Sequence, residues 1–207
     1  MKNDRMKRPR YSPGTPYAIN YNPHYNNKYY EELSKCIRDL KKMLNTVSKL
    51  HPPQSDRNII IFDIDDTLFH SDKQFIEPIP EMITIFKKLR NSGYIVSLIT
   101  ARRERMRSET IELLNKYEVS GYSDLHFKPN RVEGEERECH CHYKERARRM
   151  IEHRHRRGIL LNIGDQHTDL MGNYYMIGWK MPHKSLSDCC HIAASAAPRP
   201  GFHPGPI

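Results

Sequence analysis

The sequence predicts an α/β fold of three layers, a doubly wound parallel sheet held between two sets of helices. Three observations predict it. The run NIIIF at 58–62 is apolar after its first residue, with three consecutive β-branched isoleucines, as a central strand covered on both faces requires. Segments with a helical apolar period alternate with such runs at the spacing of β-α-β units. Carboxylate-rich stretches follow the runs directly, and open α/β sheets bind ligands at the carboxyl ends of their strands.

Each element has its own warrant. Residues 1–27 carry Pro9, Pro13, Pro16 and Pro23 among tyrosines, asparagines and basic residues, so a disordered basic arm is expected. Between Tyr29 and Leu50, the residues Leu33, Ile37, Leu40, Leu44 and Val47 recur in steps of four and three. That is the stripe of an amphipathic helix, assigned to 28–51. It either docks on the body or forms a short partner seam through 29–50 in a homo-oligomer. His51, Pro52 and Pro53 end it. After the strand at 58–62, Met82, Ile83, Ile85, Phe86 and Leu89 give a helix over 80–91, with Gly93 as its stop. A strand at 94–99, a helix at 106–117, a weaker strand at 124–127 and a helix at 143–155, basic on its outer face, come next. Strands at 159–163 and 174–179 complete a core assigned to 58–190, and 191–207 is expected to be a flexible C-terminal tail.

The 207 residues hold 34 Lys and Arg against 25 Asp and Glu, a net charge of +9. Residues 1–57 contribute 12 basic and 5 acidic side chains, so most of the excess precedes the first strand. This favours anionic partners, and a basic, tyrosine-rich N-terminal arm suits nucleic-acid phosphates and bases. No apolar run approaches the roughly 18 residues of a membrane span, and no signal-like segment follows the first ten residues. A cytoplasmic protein without membrane contact is expected. The cysteines Cys36, Cys139, Cys141, Cys189 and Cys190 are odd in number and closely paired, which predicts reduced thiols. Cys139, His140, Cys141 and His142 are zinc-type donors, with Cys189, Cys190 and His191 as possible complements, but a polar loop is the simpler reading.

Chemistry gathers at the strand ends. Asp63, Ile64, Asp65, Asp66 and Thr67 follow the first strand; Thr100, Ala101 and Arg102 follow the second; Gly164, Asp165, Gln166, His167, Thr168 and Asp169 follow the run at 159–163. Carboxylates sharing one rim repel unless a hard cation holds them, and an oxygen-only set suits Mg2+ better than Zn2+. Asp63 and Asp65, two apart on extended backbone, point into one pocket. Close like charges split their pKa values, one group staying ionised while the other tends to hold a proton. Such a division suits a nucleophile beside a general acid. Plainer roles compete: Thr100 as a helix cap, Asp165 and Asp169 as turn or cap residues, Lys144 as a surface lysine.

The segment IIIFDIDDTLF resembles the first motif of the haloacid dehalogenase (HAD) superfamily, an apolar strand followed by DxDxT. In order, ITAR resembles the second motif, Tyr143-Lys144 the third and IGDQHTD the fourth; DIDDT, TAR and GDQ are similar to the acid-phosphatase branch. The resemblance implies a HAD-like Rossmannoid fold and a Mg2+-dependent phosphomonoester hydrolase. It implies Asp63 as the nucleophile that forms an aspartyl phosphate and Asp65 as the general acid/base. Thr100 and Lys144 would hold the phosphoryl oxygens, with Lys128 competing for the third-motif role. Thr67, Thr100, Ala101 and Arg102 form the expected substrate-binding set; Asp63, Asp65 through its carbonyl, Asp165 and Asp169 form the expected metal set. Only 32 residues separate Thr67 from Thr100, which leaves little or no cap domain and an open site for a phosphorylated substrate, with room for a macromolecular one. A phosphatase of nucleic-acid 3′ or 5′ ends and a non-catalytic binding protein on the same fold are the alternatives.

Overall fold

The computed structural model describes residues 27–71, 76–133 and 138–183. The expected arm up to residue 26, the 191–207 tail and Cys189, Cys190 and His191 lie outside the described residues. In chain order the elements are α1 (Asn27–Leu50), β1 (Arg57–Phe62), β2 (Phe69–Ser71), β3 (Ile76–Pro78), α2 (Pro80–Asn91), β4 (Ile95–Arg103), α3 (Arg107–Lys116), β5 (Asp124–Lys128), α4 (His140–His155), β6 (Gly158–Gly164), α5 (His167–Leu170) and β7 (Ile177–Lys180).

Five strands form one parallel sheet in the order β5-β4-β1-β6-β7. The α/β three-layer expectation holds. Along β1 the side chains alternate between two cores: Ile60 and Phe62 enter the larger, Ile59 and Ile61 the smaller. Because both faces are covered, Ile59 to Phe62 are all apolar, and the buried Asn58 at the start of the run donates to the Pro53 carbonyl. Tyr143, Ala147 and Ile151 of α4 cover the smaller core, while α1 and α2 cover the larger.

Register carries the chemistry to one rim. Phe62 lies opposite Leu98 of β4 and Ile163 of β6, so the residues just beyond all three leave the sheet on the same side. The period of two that sends Ile59 and Ile61 toward α4 sends Asp63 the same way.

Helix α1 is part of the body. Leu33, Ile37, Leu40 and Val47 are buried with Met82, Phe86 and Leu98 in one cluster. The Trp179 indole N–H donates to Cys36 Sγ at 3.3 Å, and Tyr29 Oη meets His70 Nδ1 at 3.4 Å. The apolar stripe is therefore spent on its own chain, and the partner seam expected through 29–50 is not offered. Each such buried aliphatic side chain stabilises by about 1.5–3 kcal/mol, so the helix cannot be removed cheaply.

Three local features depart from the sequence reading. A hairpin, β2 with β3, follows the first carboxylate motif where only a connection to α2 was expected. Its strands are three residues each, too short for a visible period. Strand β4 runs on to Arg103, so Thr100, Ala101 and Arg102 lie within it rather than past its end. Cys139 and Cys141 are joined by a disulfide over a Cα separation of 5.4 Å, correcting the expectation of reduced thiols for this pair, while Cys36 is a free thiol. Cys139 is the extended cap residue of α4 and Cys141 already lies in its first turn, which brings the two sulfurs to one side. Both sulfurs are thereby committed and supply no thiolate to zinc. Among the described residues no helix is long and apolar enough to cross a membrane.

Candidate active site

Asp63 is placed by the strand that precedes it: its backbone N–H donates to the Ile163 carbonyl at 2.9 Å, continuing the β1–β6 ladder by one residue. Its carboxylate is 5% exposed and meets Lys144, whose Nζ donates to Asp63 Oδ1 at 2.7 Å and to Asp169 Oδ1. Burial alone would lower the Lys144 pKa, but Asp169 and Asp63 outweigh it and raise it, so the ammonium stays charged. Burial pushes Asp63 up; Lys144 opposes that rise while Asp169, Asp165 and Asp65 add to it. Lys128, the other lysine considered for this position, is also buried and donates to the Glu138 carbonyl.

The expected split between Asp63 and Asp65 is inverted. Burial would raise Asp65, yet the hydrogen bonds and charge of Arg102 hold it below the usual carboxylate range. Arg102 Nε lies 3.0 Å from Asp65 Oδ2, Arg102 Nη2 lies 2.7 Å from Oδ1, and Ser71 Oγ donates to the same Oδ1. Arg102 is anchored in turn by Nη1 donating to Thr110 Oγ1 at 3.2 Å. The carboxyl nearer the core, not the outer one, is the group pushed toward protonation.

The other members of the expected substrate set are more enclosed than a surface pocket suggests. Thr67 is fully buried and its Oγ1 has no hydrogen-bond partner. Thr100 is fully buried as well, and its Oγ1 accepts the Arg102 backbone N–H at 3.1 Å. Ala101 is half-buried beside them.

Asp165 and Asp169 come from the segment that leaves β6. Gln166 and Asp169 form a capping box, with the Gln166 N–H donating to Asp169 Oδ2 at 2.9 Å. A Cβ at Gly164 would collide with the Asp169 side chain, so that position takes glycine. One oxygen each from Asp63, Asp165 and Asp169 lies within 4.8 Å of the others. Asp65 offers no side-chain oxygen to this group. Burial pushes Asp165 up to about 6; Asp169 and Asp66 add to the shift and a hydrogen bond with His183 opposes it. Three buried carboxylates, two of them bridged by one lysine, that offer only oxygen donors fit a hard divalent cation.

Several residues that hold the site escaped the sequence reading. Arg148, 1% exposed, donates from all three guanidinium nitrogens to the carbonyls of Asn173, Asp169 and Met171. Glu145 accepts the Asn173 N–H at 2.8 Å, and Asn162 donates to the Asp169 carbonyl at 2.8 Å. Lys144, Glu145 and Arg148 thus reach one loop from one helix. The spacing Lys144 to Arg148, one turn apart, was a signal available in the sequence.

Comparison with known proteins meets this geometry. The description of HAD superfamily subfamily IIIB, acid phosphatases, matches residues 70–186, more than half of the chain. The chain belongs to that family. The HAD match begins just past Asp63, Asp65 and Thr67, so the first carboxylate motif rests on its own sequence and geometry. An uncharacterized protein of Arabidopsis thaliana is 30% identical over 105 residues, 46% of this chain and 35% of that protein. The chain therefore spans about a third of the curated relative that it matches. Among solved structures, it is similar to a D,D-heptose 1,7-bisphosphate phosphatase from B. bronchiseptica complexed with magnesium and phosphate. That likeness has 17% identity and a TM-score of 0.42, covering 55% of this chain and 73% of the other. A chain of the Pnkp1/Rnl/Hen1 complex is similar at 14% identity and a TM-score of 0.44, covering 60% and 47%.

Proposed function

We propose that this HAD-family chain is a Mg2+-dependent phosphomonoester hydrolase that works through an aspartyl phosphate on Asp63. The observation that carries the reading is Lys144 bridging Asp63 and Asp169, with Asp165 in the same cluster of oxygens. Asp63, Asp165 and the Asp65 carbonyl would hold the cation, which supplies positive charge to the phosphoryl oxygens. Asp169 instead anchors Lys144.

Lys144 fixes one orientation of the Asp63 carboxylate and keeps a positive charge beside the oxygens that gain charge. Asp63 must be ionised to attack, and the same positive charges that bind a phosphate dianion favour that form. Attack forms the Asp63–phosphorus bond and breaks the bond from phosphorus to the leaving oxygen. Asp65 stands on the same loop to pass a proton to that oxygen, then to take one from the water that cleaves the acyl phosphate. Because Arg102 and Ser71 favour ionised Asp65, its base role is the better supported of the two. Good leaving groups, such as aryl oxides, should therefore turn over fastest.

A screen with Mg2+ across aryl phosphates, nucleotides, sugar phosphates, phosphopeptides and oligonucleotide phosphates tests the proposal. Release of phosphate that is lost on chelation and abolished in Asp63→Asn, with the fold intact by circular dichroism, is the expected result. Asp63→Asn turning over like wild type would refute the covalent step.

Polynucleotide ends are a second reading, favoured by one feature. His142, Arg146, Arg149, His153 and Arg156 make an exposed basic stripe along α4, which begins beside Lys144. Since α1 belongs to the core, the discriminating truncation removes residues 1–26 alone; charge reversal at Arg149 and Arg156 complements it. Unchanged oligonucleotide turnover in both variants would reject this reading.

A further inference from the structure

Asp165 belongs to two groups of potential ligands at once. Besides its place with Asp63 and Asp169, it lies with Asp66 and His183, one atom from each of these three falling within 4.8 Å of the others. The three arrive from separate stretches: Asp66 from the loop after β1, Asp165 from the end of β6, and His183 from the segment past β7. Asp66 and Asp165 are buried, and the His183 side chain is mostly so. The His183 imidazole is aimed inward, its Nδ1 hydrogen-bonded to Asp165 Oδ2. Asp66 is fixed in turn, its Oδ1 accepting the Ser71 N–H at 2.9 Å. Lys180 donates to the Asp165 carbonyl, which pins the backbone and leaves the carboxylate to face the imidazole.

We infer that His183 is a nitrogen ligand of the cation held at Asp165. The inference rests on the proposed cation pocket and changes its chemistry. An all-oxygen pocket suits Mg2+, whereas one imidazole among carboxylates shifts preference toward borderline ions such as Mn2+, Co2+ and Zn2+. A cation drawn to Asp165 exchanges the hydrogen bond from His183 for coordination by the same nitrogen. The pocket therefore still takes Mg2+ as the working cation but binds a first-row transition ion more tightly.

The test uses the full chain freed of metal by chelation, with equilibrium binding of Co2+ and Mg2+ measured by calorimetry. Pulsed electron paramagnetic resonance of bound Mn2+ reports nitrogen coupling directly. Wild type should bind Co2+ more tightly than Mg2+ and show imidazole coupling. His183→Asn, which restores an oxygen donor, should lower Co2+ affinity by at least about tenfold with Mg2+ affinity little changed, and should abolish the coupling. A Co2+ to Mg2+ ratio equal in wild type and His183→Asn, or no nitrogen coupling in wild type, would overturn the assignment while leaving the oxygen pocket standing. Binding of neither ion by wild type would instead remove the pocket itself and this inference with it. His183→Ala read in parallel must match His183→Asn in losing the coupling; retention of coupling in either variant also overturns the inference.

Discussion

Lys144 and Asp63 lie 81 residues apart in sequence, yet Lys144 Nζ sits 2.7 Å from Asp63 Oδ1 with both side chains buried. The same ammonium reaches Asp169, so removing it strands two carboxylates. Lys144→Ala should lower kcat by about 10²–10³-fold and destabilise the cation-free fold by about 3–5 kcal/mol. Steady-state kinetics and urea unfolding measure these. Lys128→Ala, which loses a backbone carbonyl contact instead, should leave kcat within about tenfold of wild type. The reverse ranking would move the third-motif role to Lys128.

Stability of the cation-free protein should fall as pH rises through about 6. Folding raises Asp165 from an ordinary 3.8 to about 6, so the native state holds a proton that the unfolded state releases. That contribution is complete below the unfolded pKa and is lost as pH climbs through the folded one. His183, raised by its bond to Asp165, has the same sign. Melting temperatures between pH 4 and 8 in chelator should decline, and saturating Mg2+ should remove the decline by favouring ionised carboxylates. A cation-free curve that rises across this range would contradict the burial argument.

Arg102→Gln should release Asp65 from the charge that holds its pKa down. The limb of the kcat profile governed by Asp65 should then move to higher pH. Substrates with poor leaving groups should gain relative to aryl phosphates, because a protonated Asp65 becomes more available. Profiles for two alkyl and two aryl phosphates decide it. An unmoved limb would mean that Arg102 serves the substrate alone.

Arg148→Met should cost at least about 3 kcal/mol, since it leaves buried carbonyls without donors. Because those carbonyls fix the loop that carries Asp169, Mg2+ affinity should weaken by about 10–100-fold, while KM for an aryl phosphate changes little. Calorimetry separates this outcome from a uniform loss of folded protein.

How far the sequence could be read depended on whether a pattern was local. The unbroken run at 58–62 and the period over 80–91 declare a buried strand and an amphipathic helix, and both appear with those bounds to within a residue. The placement of Asp63, Asp65, Asp165 and Asp169 at one rim was legible because each follows a strand whose register the fold fixes, whereas Thr100 lies inside a strand that runs on to Arg103. The roles of partners were not. Arg102 reads as a substrate-binding residue, and only the β1–β4 pairing reveals that it grips Asp65. Arg148 hid in a basic helix where charge alone suggests solvent. His183 carries no motif, and its meeting with Asp165 depends on the turn after β7. The sulfur pair was misread because an odd count and close spacing argue against pairing, whereas a cap residue leading into a first helical turn brings residues two apart within bonding reach.

Helix α1 leans on the far end of the described chain: Cys36 contacts Lys180 and Met181, 144 and 145 residues later. During synthesis, at roughly 5–20 residues per second, that earliest helix waits on the order of 10–30 s for its resting place to emerge from the ribosome. Met82, Phe86 and Leu98 can cover part of its greasy side earlier, but the strip beside Cys36 stays open for the whole interval, a window in which a chaperone would find its client.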